Sequence, residues 1–194
     1  MGELVERAGS AVEQAGAGTD VGVSAPQLPP GRTVDLPGRG RTFVREAAGP
    51  AGAPTLLLLH RWTVTADLNW FTAYEPLSRH FRVIALDHRG HGQGIRSWKP
   101  FRLEDCADDD AALAQVLGID RLIPVGYSMG GPVAQLLWRR HRHRQLRLAE
   151  AIPEAEVVTV EGDHGSCVTD ADLFVPGLLE ACRGVAALAT PRSC

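Results

Sequence analysis

The stretch LIPVGYSMGGPVAQLL, residues 122–137, decides the fold. A run of β-branched and small residues reaches Gly126-Tyr127-Ser128-Met129-Gly130-Gly131, and an apolar segment of helical spacing follows. A buried strand therefore becomes a helix at a single serine set between glycines. The spacing Gly126-x-Ser128-x-Gly130 suits a sharp strand-to-helix elbow, in which side chains at the flanking positions would collide. The new helix directs its N-terminal N–H groups and dipole at any negative charge forming beside the hydroxyl, and Met129 offers one such N–H. Ser128 is thus a candidate nucleophile. A Gly-rich turn with an incidental serine is the plain alternative, and the strand before and helix after it favour the elbow.

Working outward, TLLLLH (55–60) and RVIALD (82–87) are continuous apolar runs that read as strands buried on both faces, as does RLIPVG (121–126). Pro124 lacks an N–H for the ladder, so it predicts a bulge or locally unpaired backbone. Thr33–Leu36 and Arg41–Glu46 read as short strands joined by the hairpin signal PGRG. A helix or a turn plus helix is expected over NWFTAYEPLSRHF, and helices over RLEDCADDDAALAQVLGI with its early acidic residues, after the elbow, and over DADLFVPGLLEACRGVAAL. AEVVTVEG (155–162) reads as a fourth core strand. Strands alternating with helices predict an α/β fold: a mainly parallel twisted sheet with helices on both faces.

The 194 residues suffice for one domain, with 44% hydrophobic and 22% charged residues typical of a soluble globular protein. Residues 1–30, rich in Ala, Gly, Pro and Ser, read as a flexible extension, and 31–194 as a single domain. That start lacks the basic and apolar pattern of a secretory signal. A net charge of −3 recommends neither nucleic acid nor anionic membrane as a partner. No apolar run approaches the roughly twenty residues needed to cross a bilayer. Cys106, Cys167, Cys182 and Cys194 have neither CxxC pairing nor regular spacing, so a reducing cytoplasm is expected and neither a disulfide scaffold nor a zinc site is. The basic run Arg139 to Arg144 reads as a solvated helix end.

Four motifs in order, LLLLHRWTVTADLNW, VIALDHRGHGQG, VGYSMGG and VEGDHGSCV, resemble landmarks of the α/β-hydrolase fold, most of all its esterase and epoxide-hydrolase-like branch. The resemblance runs from about Pro30 to Ala187. It implies Ser128 as nucleophile, His164 as catalytic base, and an oxyanion hole from the N–H groups of Met129 and Trp62. It implies no cofactor and no metal, and leaves His60, His88 and His91 as structural loop residues. The implied activity is hydrolysis of a small carboxylic ester or related acyl compound.

Two departures from the family stand out. Arg61 follows the histidine where the family has glycine, which bears on the oxyanion hole. And only residues 129–163 separate Ser128 from His164, whereas the family places two further strands, a lid and the orienting acid between them. This reads as an internal deletion with its junction near Arg144 and Gln145. Of the carboxylates available, Glu150, Glu154 and Glu156 lie in or beside predicted elements. Glu161 does not follow a strand as an acid loop does, and Asp163 adjoins His164 too closely to reach the far side of its ring. Asp87, at a strand end, is the least unsuitable. A Ser–His dyad across neighbouring strands about 4.8 Å apart remains feasible, at a cost on the order of ten-thousandfold in rate when the histidine is not properly presented. The competing reading is a catalytically silent truncated relative, serving as a binding or scaffold domain or left by gene decay. A nucleotide-binding α/β domain is disfavoured, because G-x-G-x-x-G is missing after the first strand and no P-loop lysine follows. Loss of two strands predicts self-association through an exposed sheet edge.

Overall fold

A computed structural model describes residues 26–141 and 162–189. The expected strand over 155–162 and the candidate acids Glu150, Glu154, Glu156 and Glu161 fall outside the described residues. The expected hairpin forms β1 (Gly31–Leu36) and β2 (Gly40–Ala47), paired antiparallel. Its turn closes through Arg39 N–H donating to the Leu36 carbonyl at 2.9 Å. Gly38 and Gly40 both take positive φ there, which a side chain would resist. Just before β1, Leu28 packs into the core, and the carbonyls of Pro29 and Pro30 accept bonds from the Arg45 guanidinium and the Glu46 N–H.

The three apolar runs form β3 (Thr55–Leu59), β4 (Arg82–Leu86) and β5 (Ile123–Gly126). The sheet order is β1-β2-β4-β3-β5. β4, β3 and β5 run parallel, and the β1–β2 hairpin joins antiparallel through β2 and β4, so the sheet is mixed around a parallel centre.

The continuous apolar run of β3 is explained by its two faces. Leu57 and Leu59 meet α3 (Leu103–Val116) and α4 (Gly130–His141) on one side. Leu56 and Leu58 meet α1 (Ala66–Trp70), α2 (Tyr74–Ser78) and α6 (Ala171–Ala189) on the other. Alternate side chains of a strand point to opposite faces, so a strand covered twice is apolar throughout.

Over 69–81 the structure follows the turn-plus-helix alternative: α1 ends at Trp70, a turn occupies 71–73 and α2 follows. Thr65 caps α1 by accepting from the Leu68 N–H, and Pro76 sits in the first turn of α2. Short α5 (Ser166–Thr169) precedes α6. No described helix is long and apolar enough to cross a membrane.

Pro124 makes no bulge. The register Leu56↔Ile123, Leu57↔Pro124, Leu58↔Val125 and Leu59↔Gly126 is unbroken. Tyr127 N–H donates to the Leu59 carbonyl at 3.0 Å, so by alternation the Pro124 nitrogen faces away from β3. No described strand lies on that side, and an edge position tolerates proline.

Candidate active site

The elbow lies between the end of β5 and the start of α4. Ser128 has φ 53°, a left-handed conformation that costs a non-glycine residue about 1–2 kcal/mol. The turn is closed by Gly130 N–H donating to Tyr127 O at 2.9 Å and Gly131 N–H to Ser128 O at 3.0 Å. A side chain at Gly126 would run into the Gly130 carbonyl, and one at Gly130 into the Leu59 carbonyl. The strain on Ser128 is therefore imposed by close backbone packing on both sides, and the serine stands exposed. Among the described residues the Met129 N–H meets no backbone carbonyl.

The loop after β3 is built on His60, which is fully buried. Its Nδ1 lies 2.7 Å from the Arg61 carbonyl, and its Nε2 accepts from the His88 N–H at 2.9 Å. A ring nitrogen that accepts carries no proton, so His60 is neutral with its hydrogen on Nδ1. Burial holds its pKa down at about 4. Arg61 N–H donates to Asn69 Oδ1 at 2.9 Å, and the next N–H, that of Trp62, meets no described backbone carbonyl. The Trp62 indole turns to solvent and lies edge-on to His91 and Phe101, each with ring centroids 4.8 Å away.

Asp87 is buried and fully engaged. One carboxylate oxygen accepts from Ala66 N–H and the other from Gln93 N–H, both at 2.8 Å. It ties the loops after β3 and β4 together, and among the described residues it makes no hydrogen bond to His164. His88 is buried beneath the same loops. Among the described residues no cluster of three or more His, Cys, Asp or Glu is set to hold a metal.

His164 projects from the turn before α5. Its ring stacks on that of Tyr127, with centroids 5.2 Å apart and planes at 29°. Its carbonyl accepts from the Tyr127 hydroxyl at 2.6 Å and from Arg61 Nη1 at 3.4 Å. The loops after β3 and β5 and the His164 turn therefore meet at the carboxyl edge of the parallel strands, where sites form in open α/β sheets. Neither the Ser128 hydroxyl nor the His164 imidazole makes a hydrogen bond among the described residues. One Asp163 carboxylate oxygen accepts from the Gly165 N–H at 2.6 Å, within its own turn, and among the described residues the carboxylate makes no bond to the His164 ring.

Sequence reading missed Tyr127 and Asn69. Tyr127 had a signal in its position beside the serine, but its contact with residue 164 is made only by folding.

The sequence profile of the family described as alpha/beta hydrolase fold matches residues 54–149. The bifunctional esterase/perhydrolase DCH of Acinetobacter calcoaceticus is 37% identical over 121 residues, 60% of this chain and 44% of that one. The crystal structure of the enol-lactonase from Burkholderia xenovorans LB400 superposes with TM-score 0.51 at 29% identity, covering 58% of this chain and 43% of that one. The epoxide hydrolase CorEH superposes with TM-score 0.53 at 27% identity, covering 60% and 39%. A strained serine elbow at the carboxyl edge of a parallel sheet, with these similarities, defines the class: the chain belongs to the α/β-hydrolase superfamily. It spans less than half the length of the relatives it matches.

Proposed function

We propose that the chain is a serine hydrolase acting on carboxylic esters or related small acyl compounds. The observation that carries this reading is the exposed Ser128 hydroxyl held at φ 53° by packed glycines, since strain of this kind persists only where surrounding structure enforces it. Ser128 attacks the acyl carbon as its proton passes to His164. The oxyanion is stabilised by the N–H groups of Met129 and Trp62, both free of described backbone partners. Collapse of the intermediate breaks the ester C–O bond, and the alcohol leaves with the proton from His164. Water then attacks the acyl-serine, gives its proton to His164, and releases the acid while Ser128 recovers its hydrogen. The relatives' printed activities, esterase, enol-lactonase and epoxide hydrolase, support a small-molecule substrate.

Turnover is expected to be weak, because no described carboxylate reaches the His164 ring. A fluorophosphonate probe should label the chain at Ser128, and Ser128→Ala should abolish labelling. A folded sample that resists the probe rules the chemistry out.

The second reading, a catalytically silent binding or scaffold domain, is favoured by a Ser128 hydroxyl and a His164 imidazole that make no hydrogen bond among the described residues. Hydrolysis of p-nitrophenyl acetate that vanishes in Ser128→Ala eliminates it. We read the short interval between Ser128 and His164 as an internal deletion, and resequencing the DNA across the codons for Arg144 and Gln145 tests that. Self-association through the edge beyond β5 accompanies this reading, and a clean monomer in size-exclusion chromatography contradicts it. A reducing cytoplasm is the proposed location, on the ground that the four cysteines have neither CxxC pairing nor regular spacing.

A further inference from the structure

We propose that Arg61 and Tyr127 are positioning residues for His164, holding it from its main-chain side where no described carboxylate holds its imidazole. The inference rests on the serine-hydrolase reading for the meaning of His164, and on geometry for the clamp itself. The His164 carbonyl has two lone pairs, and two side chains use them: the Tyr127 hydroxyl at 2.6 Å and Arg61 Nη1 at 3.4 Å. The Tyr127 ring also lies against the imidazole, limiting the ring rotation that an acid partner would otherwise restrain.

Both gripping residues are themselves fixed. Tyr127 is packed edge-on by buried Trp70, with centroids 6.2 Å apart, and by Phe174 at 5.7 Å. Arg61 is pinned through its backbone, its N–H to Asn69 and its carbonyl to the His60 ring. Burial, followed by the neighbouring Cys167 thiol, pushes the Tyr127 hydroxyl up to about 12, so it remains a donor at any working pH.

Two sequence features acquire a role from this. The residue that departs from the family's glycine supplies a donor that glycine lacks. Tyr127 is also the direct neighbour of Ser128, so one residue links the strained elbow to the turn bearing the imidazole. A displacement of either loop is then felt by the other. Misplacement on the scale of 1 Å can cost a reaction about a hundredfold.

The test uses the full chain with Tyr127→Phe, Arg61→Gly and Arg61→Lys, each checked for native near-ultraviolet circular dichroism. With p-nitrophenyl acetate, kcat should fall about tenfold in Tyr127→Phe and in Arg61→Gly, and about a hundredfold in the double variant, with KM changed less than about twofold. Arg61→Lys should recover part of the loss. Independently of catalysis, amide hydrogen exchange at residues 164–166 should accelerate, and 15N spectra of the His164 ring should show greater tautomer averaging. A rise in KM alone would make Arg61 a substrate contact and overturn the proposal, as would unchanged kcat with unchanged exchange. If the parent chain neither turns over ester nor reacts with a fluorophosphonate, the hydrolase reading falls. The exchange and 15N measurements then decide the clamp alone, and unchanged values defeat it.

Discussion

Ser128 carries a conformational cost that any L-residue at its position would share, and glycine alone escapes it. Ser128→Ala should therefore leave stability nearly unchanged, while Ser128→Gly should raise it by about 1 kcal/mol, after allowing for glycine's extra freedom in the unfolded chain. Denaturant titration of the two variants checks this, and equal midpoints would mean that the serine is not strained. Gly130→Ala should act oppositely and more strongly. Its Cβ meets the Leu59 carbonyl, a backbone atom that moves only if β3 moves, so a loss of at least about 2 kcal/mol or failure to fold is expected in the same titration. These glycines were legible in the sequence because local backbone geometry dictates them. The engagement of Asp87 was not, because which donors reach a carboxylate depends on loops that sequence leaves unplaced. Its two N–H partners come from Ala66 and Gln93, on separate loops.

At the scale of the element, α3 shows how a correct helix assignment can leave its faces undetermined. Acidic residues crowd its early part, yet Cys106, Asp109, Asp110, Leu113 and Ala114 fall on one buried stripe at helical spacing. Asp109 is compensated there by Arg39 at 2.5 Å and by Arg89 through two bonds of 2.7 Å. Asp110 has no hydrogen bond among the described residues, and the Nδ1 of His88, itself neutral, lies 3.9 Å away. Burial, reinforced by Asp109, raises the Asp110 carboxyl well above its ordinary 3.8, so the folded protein keeps it protonated where the unfolded chain ionises it. The contribution of this group to stability is complete below pH 3.8 and is lost as pH rises. Asp110→Asn should accordingly be more stable than the parent chain at pH 8, with the gap closing toward pH 4. Guanidinium midpoints at the two pH values measure it, and a variant less stable at pH 8 would show that the carboxyl has a partner worth keeping. Pro124 belongs to the same lesson. Its place in a strand was legible, whereas the side to which its nitrogen points depends on which strands flank β5.

For the molecule as a whole, the order of strands and helices could be read from apolar runs and turn residues, since burial on two faces leaves a signature in composition. Acid sensitivity could not, because His60 and His88 look like ordinary loop histidines until the fold buries them. Both are held neutral in the native state: burial brings His60 down from 6.5 to about 4 and His88 well below 6.5 in the same direction. The unfolded chain takes up these protons near pH 6.5 and the folded protein does so only lower, so stability present above 6.5 is lost as pH falls toward 4. His60 alone accounts for roughly 3 kcal/mol over that window, at about 1.4 kcal/mol for each unit of pKa difference. Asp110 works the other way over the same range, and His60 and His88 act together against it. Thermal unfolding from pH 7 to pH 4 should therefore show falling stability, and the fall should be steeper in Asp110→Asn, where the opposing carboxyl is gone. Protonating His60 also removes the acceptor of the His88 N–H bond that anchors the loop bearing Arg61 and Trp62. Ester turnover should then decline over the same pH interval as stability. A flat stability profile between pH 6.5 and 4 would mean that water reaches these rings and that the loop is not built on a neutral histidine.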